Sequence, residues 1–81
     1  MWKLIDGVKL ARTIHFKDFV EAFSFLTTIA FEAEKMGHHP EFLSVYNRVE
    51  FVLTTHDVKG LSNLDVELAR IIDVHVAKVL G

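Results

Sequence analysis

Cysteine is absent from the chain. That excludes disulfides, a secreted disulfide scaffold and thiolate chemistry of any kind. Basic charge is scarce too: nine lysines and arginines against eleven acidic residues leave a formal net charge of −2. With a pI near 6.2, the chain offers no basic field to nucleic acid or to an anionic membrane. No block of like charges reads as a tail. No apolar run approaches the length needed to cross a bilayer. Met1-Trp2-Lys3-Leu4-Ile5-Asp6 lacks the uninterrupted apolar core of a signal peptide. Internal repeats, linkers and low-complexity segments are missing as well. A soluble cytoplasmic domain is the expectation.

What is present is largely apolar. Hydrophobic residues make up 51% of only 81 residues. One small domain follows, with a modest core. Oligomerisation is then an expected source of stability, part of the apolar surface facing another subunit.

Asp6-Gly7 suits a tight hairpin between segments 2–6 and 8–16, because both residues tolerate positive φ. Val8, Leu10, Ile14 and Phe16 alternate with Lys9, Ala11, Thr13 and His15, which predicts a half-buried strand with His15 on its polar side. Asp18 and Glu21 have the spacing of a capping box. Beyond them Phe19, Phe23, Leu26, Ala30 and Ala33 recur at helical intervals as far as Met36. Phe25, Ile29 and Phe31 fall outside that stripe, so the helix is expected to pack on two sides, against a sheet and a neighbouring subunit. Gly37 offers a left-handed C-cap, and Pro40 stops the helix from resuming.

Leu43–Asn47 and Val49–Thr55 read as a second hairpin turning near Asn47-Arg48. Val49, Phe51, Leu53 and Thr55 share one face; Glu50, Val52 and Thr54 share the other. A polar loop over Asp57–Gly60 follows. Ser62 and Asp65 give a second capping-box spacing, opening a helix that runs towards Leu80. At about 100° per residue, Leu64, Leu68, Ile71, Ile72, His75 and Val79 make its apolar face. Glu67, Arg70, Asp73 and Lys78 lie opposite. His75 reads as a core or interface histidine. The order is ββαββα: an α+β domain whose two antiparallel hairpins form a four-stranded sheet with two helices on one face.

His38-His39-Pro40 and His56 carry the chemistry. Histidine exchanges protons near neutrality, and a helix C-terminus favours the charged imidazole, which suits a general acid. Spacing alone leaves three readings open. The histidines cap helix carbonyls, or they form an acid–base pocket, or they bind a metal. The last fits poorly, since ligands on a helix usually stand three or four residues apart. Covalent catalysis lacks a thiol and an activated serine. Asp65 is explained by capping, any further duty being additional. Glu34, one turn before the histidines, can reach the same place.

Glu34-Lys35-Met36-Gly37-His38-His39-Pro40-Glu41-Phe42, then Val45-Tyr46-Asn47, Thr54-Thr55-His56, Gly60-Leu61-Ser62 and Asp65 together resemble pterin-4a-carbinolamine dehydratase. His15-Phe16-Lys17-Asp18-Phe19 resembles the segment entering that family's long helix. The resemblance spans nearly the whole chain, in order. It implies a single domain over 1–81 that lacks the helix preceding the first strand in longer members. It also implies pairing with a second subunit, as a homodimer or homotetramer. The implied activity is dehydration of a 4a-hydroxytetrahydropterin to the quinonoid dihydropterin, in pterin recycling, with no metal and no organic cofactor. By the same resemblance His38, His39 and His56 are the active-site histidines. Pro40, Thr55, Asp57 and Val58 line the pterin site, with Glu34 in reach, Phe42 as a flat wall and Asp65 in support. Phe42 stands where many members have tryptophan, and Gly37 replaces a common acidic or amide residue. The alternative is a non-catalytic dimerisation module on the same scaffold.

Overall fold

The computed structural model describes residues 1–81. Strands β1 (Lys3–Ile5) and β2 (Lys9–His15) precede helix α1 (Phe19–Met36). Strands β3 (Glu41–Val45) and β4 (Arg48–Leu53) then lead through a 3-10 turn (His56–Val58) to helix α2 (Asn63–Leu80). The ββαββα order and α+β class expected from the sequence are thus found. All strand pairs are antiparallel, in the order β1-β2-β4-β3.

Turn chemistry sets these boundaries. Asp6 and Gly7 take φ of 53° and 71°, as the hairpin requires. The second hairpin turns one residue earlier than expected, at Tyr46-Asn47, since Val45 pairs with Arg48. Tyr46 supplies the positive φ there, a conformation a tyrosine seldom signals. β3 starts two residues earlier than expected, directly after Pro40. The polar loop expected over Asp57–Gly60 is overlapped by the 3-10 turn, which begins one residue earlier at His56 and is closed by Lys59 at φ 53°.

Helix α1 begins at Asp18, whose Oδ1 accepts the Glu21 N–H at 2.8 Å. The Glu21 carboxylate reaches one residue further back than a capping box would, to the Lys17 N–H at 3.0 Å. At the other end Gly37 adopts φ 66°. The His38 N–H then bonds the Ala33 carbonyl at 3.2 Å, a closure that throws the histidines straight off the helix end.

Both helices present a different stripe to the sheet than their sequences suggested. On α1 the buried residues are Ala22, Phe25, Leu26, Ile29 and Ala33; Phe19, Phe23 and Phe31 are exposed. A helix apolar around much of its girth satisfies two templates at once, and packing chooses between them. On α2 the buried row is Asp65, Leu68, Ala69, Ile72 and Val76, while Leu64 and Val79 stay exposed. Asp73, expected on the polar face, accepts from the Trp2 indole at 2.8 Å and pairs with Arg12. Arg12 occupies an inward position of β2, so its charge draws Asp73 to that edge. His75 is half-buried, with Nε2 3.4 Å from Glu32 of α1.

One core of thirteen residues joins both helices to a single face of the sheet. Val49, Phe51 and Leu53 are its centre on β4, as their alternation indicated. Phe25 stacks edge-on against Phe51 with centroids 6.2 Å apart, and Phe16 lies 5.0 Å from Phe25. No helix is long and apolar enough to cross a membrane.

Candidate functional site

Where α1 ends, β4 ends and α2 begins, the chain leaves a cleft of about 420 Å³. Three short-range constraints aim its side chains. The closure at Gly37 delivers His38 and His39. The bridge pairing Thr55 with Gly60 holds the 3-10 turn that carries His56 and Asp57. The capping box at Ser62 fixes Asp65 at the start of α2, with the Ser62 N–H donating to Oδ2 at 3.0 Å.

Asp65 is fully buried, and a carboxylate there requires partners. Besides Ser62 it has two. The Thr55 hydroxyl donates to Oδ2 at 2.6 Å, and His38 Nε2 lies 2.6 Å from Oδ1. Burial pushes this carboxyl up. The hydrogen bonds from Thr55, His38 and the Ser62 N–H, with the charge of His38, outweigh it and hold Asp65 below its ordinary 3.8. An ionised carboxylate only accepts, so His38 Nε2 must carry the hydrogen. In the neutral ring Nδ1 is then the basic nitrogen.

A lowered folded value means that the unfolded chain binds more protons in the acid range. Asp65 therefore contributes stability that is complete above about pH 3.8 and is lost as pH falls through the folded value. Denaturant titrations at a series of pH values should show a steep acid limb in the wild type and a shallower one in Asp65→Asn. Parallel limbs would refute that contribution.

The other histidines are less constrained. His39 Nε2 is 2.8 Å from Glu34 Oε1, but the side chains are 64% and 80% exposed, so this pair is weak. His56 is exposed at the start of the 3-10 turn. Of the residues singled out from sequence, His38, His39, Thr55, His56 and Asp57 line the cleft. Asp65 stands behind its wall, bonded to two of them, and Glu34 touches His39. Pro40, Phe42 and Val58 do not line it. Adjacent strand residues face opposite ways, so Phe42, paired with Phe51, points to the helix side while Glu41 faces the cleft.

Gly37, Glu41, Val52, Thr54 and Leu64 complete the lining, and sequence reasoning assigned none of them to the site. The alternation that grouped Val52 with Thr54 was the available signal, and starting β3 at Glu41 would have set that residue opposite Val52. Neither lysine nor arginine reaches the cleft, so its chemistry is that of imidazoles and carboxylates. Nowhere do three His, Asp or Glu side chains converge so as to hold a metal ion.

The sequence matches the family described as Pterin 4 alpha carbinolamine dehydratase over residues 1–75. A relative from Bradyrhizobium sp. (strain ORS 278), provisionally named a pterin-4-alpha-carbinolamine dehydratase, is 49% identical over 81 residues, spanning 99% of this chain and 81% of its own. Another with the same name, from Synechococcus sp. (strain WH7803), is 57% identical over 72 residues, spanning 89% and 76%. The crystal structure of a transcriptional coactivator/pterin dehydratase from Brucella melitensis superposes with a TM-score of 0.87 at 41% identity, covering 91% of this chain and 80% of that one. A pterin dehydratase-like protein identified as a RuBisCO assembly factor in the alpha-carboxysome superposes at 0.77, covering 91% and 87%. At 18% identity that likeness concerns the fold alone.

Proposed function

Because the chain belongs to the Pterin 4 alpha carbinolamine dehydratase family, we propose that its cleft dehydrates a 4a-hydroxytetrahydropterin to the quinonoid dihydropterin by histidine general acid–base catalysis. The observation that carries this reading is the 2.6 Å contact between His38, on the cleft wall, and the buried carboxylate of Asp65. An imidazole tied through one nitrogen to a buried anion is oriented and ready to exchange protons through the other.

The reaction asks for two proton transfers. The C4a hydroxyl leaves as water, so its oxygen must receive a proton. N5–H gives one up as the C4a–N5 bond becomes double. His38 and His56 serve these two transfers, and His39, steadied by Glu34, orients the substrate or assists. Thr55 and Asp57 line the ring's site, Pro40 and Val58 belong to the segments that shape it, and Val52 and Leu64 supply its apolar contact. The working form is a cytoplasmic homodimer or homotetramer, an assembly that would cover the exposed phenylalanines of α1 and the edge strand β3. Those same exposed phenylalanines favour the alternative, an interaction module that has kept the scaffold without turnover.

Mixing the purified chain with freshly generated 4a-hydroxytetrahydropterin and following the quinonoid product decides between the two. Acceleration over buffer is expected. A rate equal to the buffer's would leave the interaction module standing.

A further inference from the structure

The hydrogen bonds behind His38 have only one consistent direction. The Leu64 N–H can only donate, and Ser62 Oγ accepts it at 3.3 Å. At the far end Asp65 can only accept, so the single hydroxyl hydrogen of Thr55 goes to Oδ2, 2.6 Å away. Thr55 Oγ1 and Ser62 Oγ are 2.7 Å apart, and either could donate in isolation. With the Thr55 hydrogen committed to Asp65, the Ser62 hydroxyl must donate to Thr55. The run therefore goes from the Leu64 N–H through Ser62 and Thr55 into the carboxylate, which in turn accepts from His38 Nε2 at 2.6 Å. Each donor in such a run is polarised by the one behind it.

We infer that the hydroxyl of Thr55, a residue that lines the cleft, is a positioning group for the dehydration: backed by Ser62, it holds Asp65 so that His38 is fixed as the Nε2–H tautomer and exchanges its proton through Nδ1. This rests on the reading of the cleft given above. It goes further by naming the working nitrogen and by assigning Thr55 and Ser62 to the apparatus that selects it. The hydroxyl is bonded on both sides, leaving it no free hydrogen for a ligand in the cleft. Thr55 also comes immediately before His56, so one residue's placement affects two of the three imidazoles.

Ring nitrogens report the tautomer directly. Long-range ¹H–¹⁵N correlation of the wild type, at a pH where titration finds the His38 ring neutral, should show an unprotonated Nδ1 and a protonated Nε2. The opposite pattern overturns the inference, whether or not the chain turns over a pterin. For Thr55, the Thr55→Val change keeps shape and removes the hydroxyl. A hydrogen bond to a charged group corresponds to roughly tenfold or more in rate, so kcat should fall by about that factor with KM little changed. Thr55→Ser should restore most of it. A folded Thr55→Val protein with a lower melting temperature but wild-type kcat would show a structural role only and sink the assignment. Should Thr55→Val fail to fold, Thr55→Ser still decides: near-wild-type kcat with the Nε2–H pattern retained supports the inference, and a changed tautomer overturns it. Absence of dehydratase activity in the wild type would instead count against the proposed function, leaving the tautomer result to stand or fall alone.

Discussion

His38→Ala is expected to lower kcat for dehydration by roughly a hundredfold to ten-thousandfold, the usual contribution of a positioned acid–base group. His39 cannot replace it, because its own Nε2 is turned to the exposed Glu34 carboxylate and it has no buried anion behind it. The alanine also leaves Asp65 buried without its His38 partner, so stability falls along with rate. Two further variants separate these effects. His38→Gln still donates an N–H towards Asp65 but cannot exchange protons; it should recover stability and leave kcat low. His56→Ala removes an exposed ring, so it should leave the melting temperature almost unchanged and still cut kcat steeply. Steady-state kinetics with thermal melts on all three decide the matter. Wild-type kcat in both His38→Gln and His56→Ala would refute the acid–base assignment.

Phe51→Ala should cost roughly 3–5 kcal/mol, the range for deleting a fully buried aromatic side chain. Phe51 is wholly inaccessible, at the middle of β4 between β2 and β3, with Phe25 edge-on against it. Small domains have about 5–15 kcal/mol of total stability. The loss is therefore a large share of what this chain possesses, and the variant should be partly unfolded at moderate temperature. Phe42, its cross-strand neighbour, is the natural control. At 57% exposed it leaves little to lose, and Phe42→Ala should shift the denaturant midpoint only slightly. Equal midpoints for the two variants would mean that β4 does not centre the core.

Strand alternation and capping were legible in the sequence because each depends on neighbours a few residues away. Val49, Phe51 and Leu53 alternate without interruption, and Asp18, Gly37 and Ser62 end or begin helices as their chemistry dictates. The buried faces of the two helices were not legible. α1 has too many apolar residues for periodicity to choose a side, and α2 hides an aspartate inside its inward row. The Arg12–Asp73 pair was not legible for a related reason: Asp73 was sorted by polarity alone, Arg12 interrupts the alternation of its strand, and their pairing joins residues 61 apart. The cleft was half legible. Resemblance brought out His38, His39 and His56, but the sequence could not show that Asp65 would have its carboxylate bonded to both Thr55 and His38, because three chain segments must meet for that to happen. Glu41 was lost through a two-residue error in where β3 begins.

The thirteen residues of the apolar cluster include none that line the cleft. Shape and chemistry are thus encoded at separate positions, and a lineage could lose its imidazoles by drift without losing the architecture. Descendants of such a chain would remain superposable long after their reactions had diverged, so kinship in backbone outlasts kinship in trade.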